Sequence, residues 1–282
     1  MAAPDLWARI SPALINRAEN RTVAHPKPVR RYKMSEATLD TLAAALSRPV
    51  HRPKSGVGSH LFIADKPSPF VAPKFNILED TPEPLNREVI FVEASAAVGK
   101  STIAKFMSAT LGLAVLDLSK VPVATGSFKT LLQELEDPNK SDPLIAFHAG
   151  NCPIIIDALD EGRLLSGDTG IESFLETTAQ FVQSDRTNAT KSKLIFFGRF
   201  ESIEIARTLI ELAAPEISRA TVQVGFFDKG TAWELIQAYA ALTAKSSPDS
   251  IYLGHEEAAK QVISAYFDAA QVRVFCYRAQ LH

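Results

Sequence analysis

The stretch "EVIFVEASAAVGKSTIAKF", residues 88–106, joins a continuous apolar run to a helix-forming segment through Gly-Lys-Ser. An apolar run without polar alternation is the pattern of a strand covered on both faces, as in parallel sheets. Within it, "ASAAVGKST" fits the phosphate-loop pattern GxxxxGK[ST] at Gly99, Lys100 and Ser101, with Ala94 in the place of the first glycine. The segment read as nucleotide-binding is therefore Ala94, Ser95, Ala96, Ala97, Val98, Gly99, Lys100, Ser101 and Thr102. Such a loop turns main-chain N–H groups inward around phosphates at a helix N-terminus, whose partial positive charge favours anions. In this arrangement Lys100 reaches the β- and γ-phosphates and the Ser101 hydroxyl ligates Mg2+. The competing reading is an ordinary strand-turn-helix in which Gly-Lys-Ser is a cap and a surface lysine. Ala94 and Ala97, where these loops carry glycine, weigh on that side.

Outward from this stretch, apolar runs recur in "LAVLDLS", "CPIIIDAL", "KLIFFGR" and "ATVQVGF", with helices expected over 100–111, 127–136, 170–184 and 202–213. Alternation of this kind predicts a mainly parallel sheet with helices on both faces. After Gly225, "KGTAWELIQAYAALTAK" and "HEEAAKQVISAYFDAA" carry apolar residues at three- and four-residue spacing, the pattern of packing helices. Before Glu88 prolines cluster, and only "SEATLDTLAAALSR", residues 35–48, has the polar start and apolar spacing of a helix. The expected organisation is a basic Pro-rich arm with one helix over 1–86, an α/β nucleotide-binding domain over 87–225, and a helical extension over 226–282. The closing run "QVRVFCYRAQLH" is strand-like and stops without a polar terminator, as expected of a piece of a longer chain.

"CPIIIDALDEGR", residues 152–163, is an apolar strand ending in Asp157, Asp160 and Glu161. Carboxylates at the C-terminal end of a buried strand are costly unless a cation or hydrogen bonds compensate, and Mg2+ on a nucleotide does so. The alternative is a strand leaving the core into an acidic loop. The phosphate loop after one strand and these acids after another, roughly sixty residues on, follow the order of nucleotide hydrolases. In "KSKLIFFGRFES", Arg199 directly follows an apolar run. If that strand lies between the other two, its guanidinium emerges beside the γ-phosphate and can stabilise transferred charge; otherwise it is a solvated strand-end arginine.

With these segments in order, the region resembles the STAND NTPases, most closely their NACHT group, within the AAA+-like class of P-loop ATPases. Asp157-Ala158-Leu159-Asp160-Glu161 is similar to that group's strand ending, an acid followed by a small and a hydrophobic residue and then an acidic pair. The resemblance implies a P-loop NTPase sheet of strand order 5-1-4-3-2, with ATP and Mg2+ as cofactors. It implies that Lys100 binds phosphate, that Ser101 and Asp157 hold Mg2+, that Asp160 with Glu161 orients or activates water, and that Arg199 is the sensor residue. Phe197-Gly198 stand where the group often has small hydroxyl residues. The implied function is a slowly hydrolysing ATP switch in signalling or microbial defence, working through a protein partner or self-assembly.

The remaining composition bounds this reading. Residues 1–80 hold 12 Lys/Arg against 7 Asp/Glu, while the whole chain carries a formal charge of −2, so the basic character is confined to the beginning. "HPKPVRRYK", with Tyr32, and "RPVHRPK" leave a nucleic-acid-binding arm as an alternative to a solvated or partner-docking one. A pseudo-ATPase scaffold that binds partners and no nucleotide is the other alternative. "SGVGSH", residues 55–60, lacks the full dinucleotide pattern and is expected to be a flexible turn. Cys152 and Cys276 have no ligand-like spacing, which points to a reducing cytoplasm. The start lacks the basic and apolar regions of a secretory signal, and the longest apolar stretch is too interrupted to span a bilayer, so no membrane association is expected.

Overall fold

The computed structural model of the protein describes residues 35–78, 85–95, 99–184, 193–246, 255 and 257–265. Ala96, Ala97 and Val98 of the candidate loop, the basic run around Tyr32, Cys276 and the closing strand-like run lie outside the described residues. In chain order, β1 (Ser35–Ala37), α1 (Leu39–Ala44), β2 (Arg52–Pro53), β3 (Leu61–Phe62) and β4 (Phe75–Ile77) come first. Then follow β5 (Val89–Glu93), α2 (Lys100–Leu111), β6 (Ala114–Asp117), α3 (Ser127–Leu132), β7 (Leu135–Glu136) and α4 (Pro143–His148). The remaining elements are β8 (Ile154–Asp157), α5 (Leu159–Ser184), β9 (Leu194–Gly198), α6 (Phe200–Ala213), β10 (Arg219–Val224) and α7 (Lys229–Ser246).

The apolar runs form the sheet's parallel centre. The order is β1-β4-β10-β5-β9-β8-β6-β3, in which neighbours from β10 to β6 are parallel and the outer strands β4 and β3 join antiparallel. Every residue of β5, β8 and β9 is buried, as a sheet covered on both sides requires. Side chains alternate between the faces. Val89, Phe91, Ile154, Ile156, Leu194 and Phe196 join one core with α5 and α6 residues such as Phe174, Leu175, Ile203 and Leu209. The alternate set Ile90, Val92, Ile155, Ile195 and Phe197 is equally buried, on the face where α2 packs with Ile103 and Met107.

The described residues fall into two compact units, one of residues up to 66 with 75–224, the other of 67–74 with the described residues from 225 onward. The second unit holds α7 and a helical stretch over 257–265. Its first turn is capped by Asp228, which accepts from Thr231 N–H at 2.8 Å and pairs with Lys74 at 3.0 Å. Those contacts, the Thr231 N–H first, hold the Asp228 carboxyl down at about 2. Lys260 lies over the Trp233 ring, 5.4 Å from its centroid.

The beginning of the chain differs most from expectation. Residues 35–66 and 75–78 belong to the same unit as the α/β domain and residues 67–74 to the other, so the described part of the supposed arm forms no unit of its own. The expected helix over 35–48 is a strand, β1, followed by the short α1, because Thr38 forms a reciprocal capping box with Thr41 and restarts the backbone there. The strands β1 and β4 extend one sheet edge and β3 the other. Two basic groups between them are spent on the fold: Arg52 Nη1 donates to Gly112 O at 2.7 Å and Lys54 Nζ to Gln133 O at 2.6 Å. His60 meets Glu134 at 2.8 Å, and its carbonyl accepts from Asp117 N. Residues 55–60 are therefore tied to the sheet edge on one side, although Gly56 takes the left-handed turn that a Gly-rich stretch offers, with φ 84°. Helix α3 ends at Leu132, short of the expected 136, and the chain enters β7, which pairs with β2.

Candidate functional site

Strand β5 ends at Glu93, and Ala94 N–H still donates to Gly198 O at 3.1 Å, which ties the start of the loop to β9. Where the described chain resumes, Gly99 is the N-cap of α2 with φ 83° and no side chain caps the helix. This glycine is required by its left-handed backbone. Gly99 is exposed, and among the described residues no side chain caps the first N–H groups of α2, the elementary condition for holding an anion. Lys100 Nζ lies 3.2 Å from Ser95 O and 3.5 Å from Ala94 O, folded over the loop's own carbonyls. Thr102 is exposed on the same first turn.

Ser101 and Asp157, far apart in sequence, meet. The Ser101 hydroxyl and the Ala158 N–H lie close enough to the Asp157 carboxylate to favour its ionised form. Asp157 is only 7% exposed. Burial pushes its carboxyl above the ordinary range, as do the nearby Asp117 and Glu161 charges, against Ser101 and Ala158. Ala158 has φ 63°, an uncommon conformation for alanine, and it turns the chain off β8 so that α5 starts at once. The Gly162 N–H then closes on Ala158 O at 2.8 Å. The donors gathered here are hard oxygens, of the kind that Mg2+ takes together with phosphate and water. Among the described residues no group of three or more His, Cys, Asp or Glu side chains is arranged to hold a metal unaided. Ser101 and Asp157 fit a cation that a nucleotide helps to hold.

The acidic pair divides. Asp160 Oδ2 accepts from Arg199 N–H at 3.1 Å and Oδ1 from Ser202 Oγ at 2.5 Å, with Arg199 Nε 3.8 Å from Oδ2. Glu161 is exposed and makes no hydrogen bond or ion pair among the described residues. Arg199 is the N-cap of α6, with its side chain 57% exposed.

Two acids of this edge escaped the sequence reading. Asp117 ends β6 in register with Asp157 on the neighbouring strand. Burial alone would raise its carboxyl, but hydrogen bonds from Ser119 and Lys120 outweigh that and hold it below the usual range. The signal was an acid closing an apolar run, the one that marked Asp157. Glu93 ends β5 on the opposite face, 2% exposed, with Gln223 Nε2 donating to it at 3.0 Å. Burial, then Glu204, push its carboxyl up against Gln223 and Arg207. Its apolar surroundings made it look like the strand's last polar residue and nothing more.

No family model matches this sequence, and no curated protein matches it. Among solved structures, the Walker-type ATPase PABY2304 of Pyrococcus abyssi is similar with a TM-score of 0.43 and 13% identity, over 62% of this chain and 58% of that one. The chain thus spans little more than half of that structure's length, and at this similarity the site's own geometry is what bears on function.

Proposed function

We propose that the chain binds ATP with Mg2+ at the turn from β5 to α2 and hydrolyses it slowly, as a switch of the NACHT and STAND kind. The observation that carries this reading is the convergence of Ser101 on the buried Asp157, where the hydroxyl favours the ionised carboxylate, beside the Gly99 helix start that bears Lys100. A structural serine needs no buried carboxylate, and a buried carboxylate with a raised pKa is a cost that a bound cation removes. The order β10-β5-β9-β8-β6, numbered along the chain as 5-1-4-3-2, supports the assignment to P-loop NTPases and sets Arg199 between the loop and the Asp157 strand. Ligands of open α/β sheets lie at the C-terminal ends of the strands, the edge where Asp157, Arg199 and the Lys100 turn occur.

In this reading Lys100 leaves its carbonyls for the β- and γ-phosphates, Ser101 and Asp157 hold Mg2+, and the cation neutralises phosphate charge. Water attacks the γ-phosphorus and loses its proton to a carboxylate of the Asp160 and Glu161 pair. The bond to the leaving oxygen breaks with its electron pair passing to ADP, and Arg199 steadies the charge in transit. Exchange or hydrolysis then alters how the chain meets a protein partner or another copy of itself. The nucleotide-free scaffold is favoured by one feature, the alanines at Ala94 and Ala97. Calorimetry with Mg2+ and ATP separates the two readings. The parent binds and Lys100→Ala binds at least ~10-fold more weakly with its fold intact, since among the described residues the half-buried ammonium bonds to loop carbonyls before nucleotide arrives. No binding by the parent makes the scaffold the better account.

A further inference from the structure

We propose that Asp160 is a positioning residue that clamps the start of α6 and holds Arg199 at the site edge, which leaves Glu161 as the carboxylate free to take the proton from water. The inference rests on the Mg2+-ATP reading above and divides labour within an acidic pair that the sequence presents as equivalent.

Both Asp160 oxygens are occupied. One accepts the Arg199 N–H, and with it draws the Arg199 Nε to 3.8 Å; the other accepts the Ser202 hydroxyl. Arg199 is an N-cap whose side chain makes no capping bond, and a carboxylate from the first turn of α5 accepts its N–H, as the N3 Glu or Gln of a capping box does elsewhere. A negative group at a helix N-terminus is also favoured by the helix dipole. The clamp needs α5 and α6 to start close together, and Gly198 permits it. A Cβ at that position would lie 3.2 Å from Ile203 and 3.3 Å from Leu159, the residues that open the two helices' buried faces. Phe197-Gly198 at a place that often carries hydroxyl residues is thus matched by Ser202, which supplies a hydroxyl one helical turn later. A carboxylate whose oxygens already accept from the protein is poorly placed to orient a water as well. Glu161, one residue on, is exposed and unengaged, and close enough to Asp157 to raise its carboxyl.

The test is steady-state Mg2+-ATP hydrolysis across pH by the full chain carrying Glu161→Gln, Asp160→Asn, Asp160→Ala, Ser202→Ala, Arg199→Ala or Asp160→Ala with Arg199→Ala. Glu161→Gln should lower kcat at least ~100-fold with little change in KM, and abolish the acidic limb of the kcat profile. Asp160→Ala should lower kcat by about tenfold, keep that limb, and add little to Arg199→Ala in the double variant, because the first acts through the second. Asp160→Asn, which retains an oxygen for the Arg199 N–H, should recover most of the loss, and Ser202→Ala should share part of it. The proposal falls if Asp160→Asn loses turnover and the acidic limb as fully as Glu161→Gln, or if the Asp160 and Arg199 losses multiply. If the parent binds ATP without turnover, the same variants are read in the ratio of ATP to ADP affinity, with the same non-additivity expected and multiplied losses overturning the proposal. If the parent binds no nucleotide, the Mg2+-ATP reading fails by itself, and thermal unfolding of Asp160→Ala, Ser202→Ala and their double variant decides the clamp: additive losses overturn it, and a double variant no less stable than the worse single one supports it.

Discussion

Asp157 is held where burial works against its charge, so folding and cation binding make opposed demands on one carboxyl. Its folded-state pKa is raised, which means the folded protein keeps that proton more tightly than the unfolded chain does. The stability that Asp157 contributes is therefore greatest at low pH and falls as pH climbs from the ordinary carboxylate range through the raised value, opposite in sign to carboxyls held low such as Asp117 and Asp228. Glu93, also raised, adds a loss of the same sign. Mg2+ needs the ionised form, so metal-dependent ATP binding should strengthen over the same interval. Asp157→Asn removes the charge and leaves an oxygen for the Ser101 hydroxyl. We expect the nucleotide-free variant to melt higher than the parent at neutral pH, with a shallower decline of Tm with pH, and to lose most Mg2+-dependent ATP affinity. A lower Tm at neutral pH would mean that Asp157 is a structural acceptor first. At this scale motif spacing singled out Ser101 and Asp157, and the folded chain brings those two near each other. The motif paired Asp160 with Glu161 at the water and did not separate them, because the Asp160 carboxylate accepts from the start of α6 through atoms that only the folded chain brings together.

Between residues and fold, the elements show where local pattern was enough. The buried parallel strands β5, β6, β8, β9 and β10 were legible because an apolar run bounded by polar turns has few other uses. Helix α5 was not legible in full. It starts at Leu159 instead of near Gly170, and a break at Gly167, φ 71° and ψ 167°, divides it. The acids and glycines of its first turns hid the start, because Asp and Gly lower helix propensity wherever they occur. Gly162 has a different reason to be there. A Cβ at this position would come within 2.6 Å of the Leu118 Cβ, and Leu118 is fully buried. Ala is worth about 0.5–1 kcal/mol over Gly in a helix interior, whereas overpacking a filled core costs roughly 1–3 kcal/mol. The clash should win. Gly162→Ala is expected to lower stability by about 1 kcal/mol or more in urea denaturation, despite the better helix former, and a stabilised variant would show that the β6 end gives way freely. Because Gly162 follows the acidic pair directly, the same variant should also disturb turnover more than Mg2+-ATP affinity.

For the molecule as a whole, the beginning of the chain is the largest departure from what its composition implied. Prolines and positive charge read as a free basic arm, yet its described part closes both edges of the sheet. The strands involved are two or three residues long, too short for any periodicity to show, and their register is set by partners far along the chain. Phe75 and Ile77 are buried where β4 pairs with β10, Leu61 where β3 pairs with β6, and Leu42 is buried on α1. Full burial of side chains of this size is worth roughly 1.5–3 kcal/mol each, and a whole domain is stable by only about 5–15 kcal/mol. A truncated chain that starts at Arg87, the boundary that sequence alone recommends, would forfeit all four and leave β10 and β6 as bare edges. Such a chain should be much less stable than the parent and prone to aggregate, as read by thermal melting and size-exclusion chromatography. Arg52→Ala is the milder counterpart. It removes one charged hydrogen bond to the carbonyl of Gly112 at the end of α2, where a cation suits the helix dipole, at a cost of about 1 kcal/mol. If the chain from Arg87 melts with the parent and stays monodisperse, the edge strands are ornament, and the basic segment regains its standing as an arm available for nucleic acid or a partner.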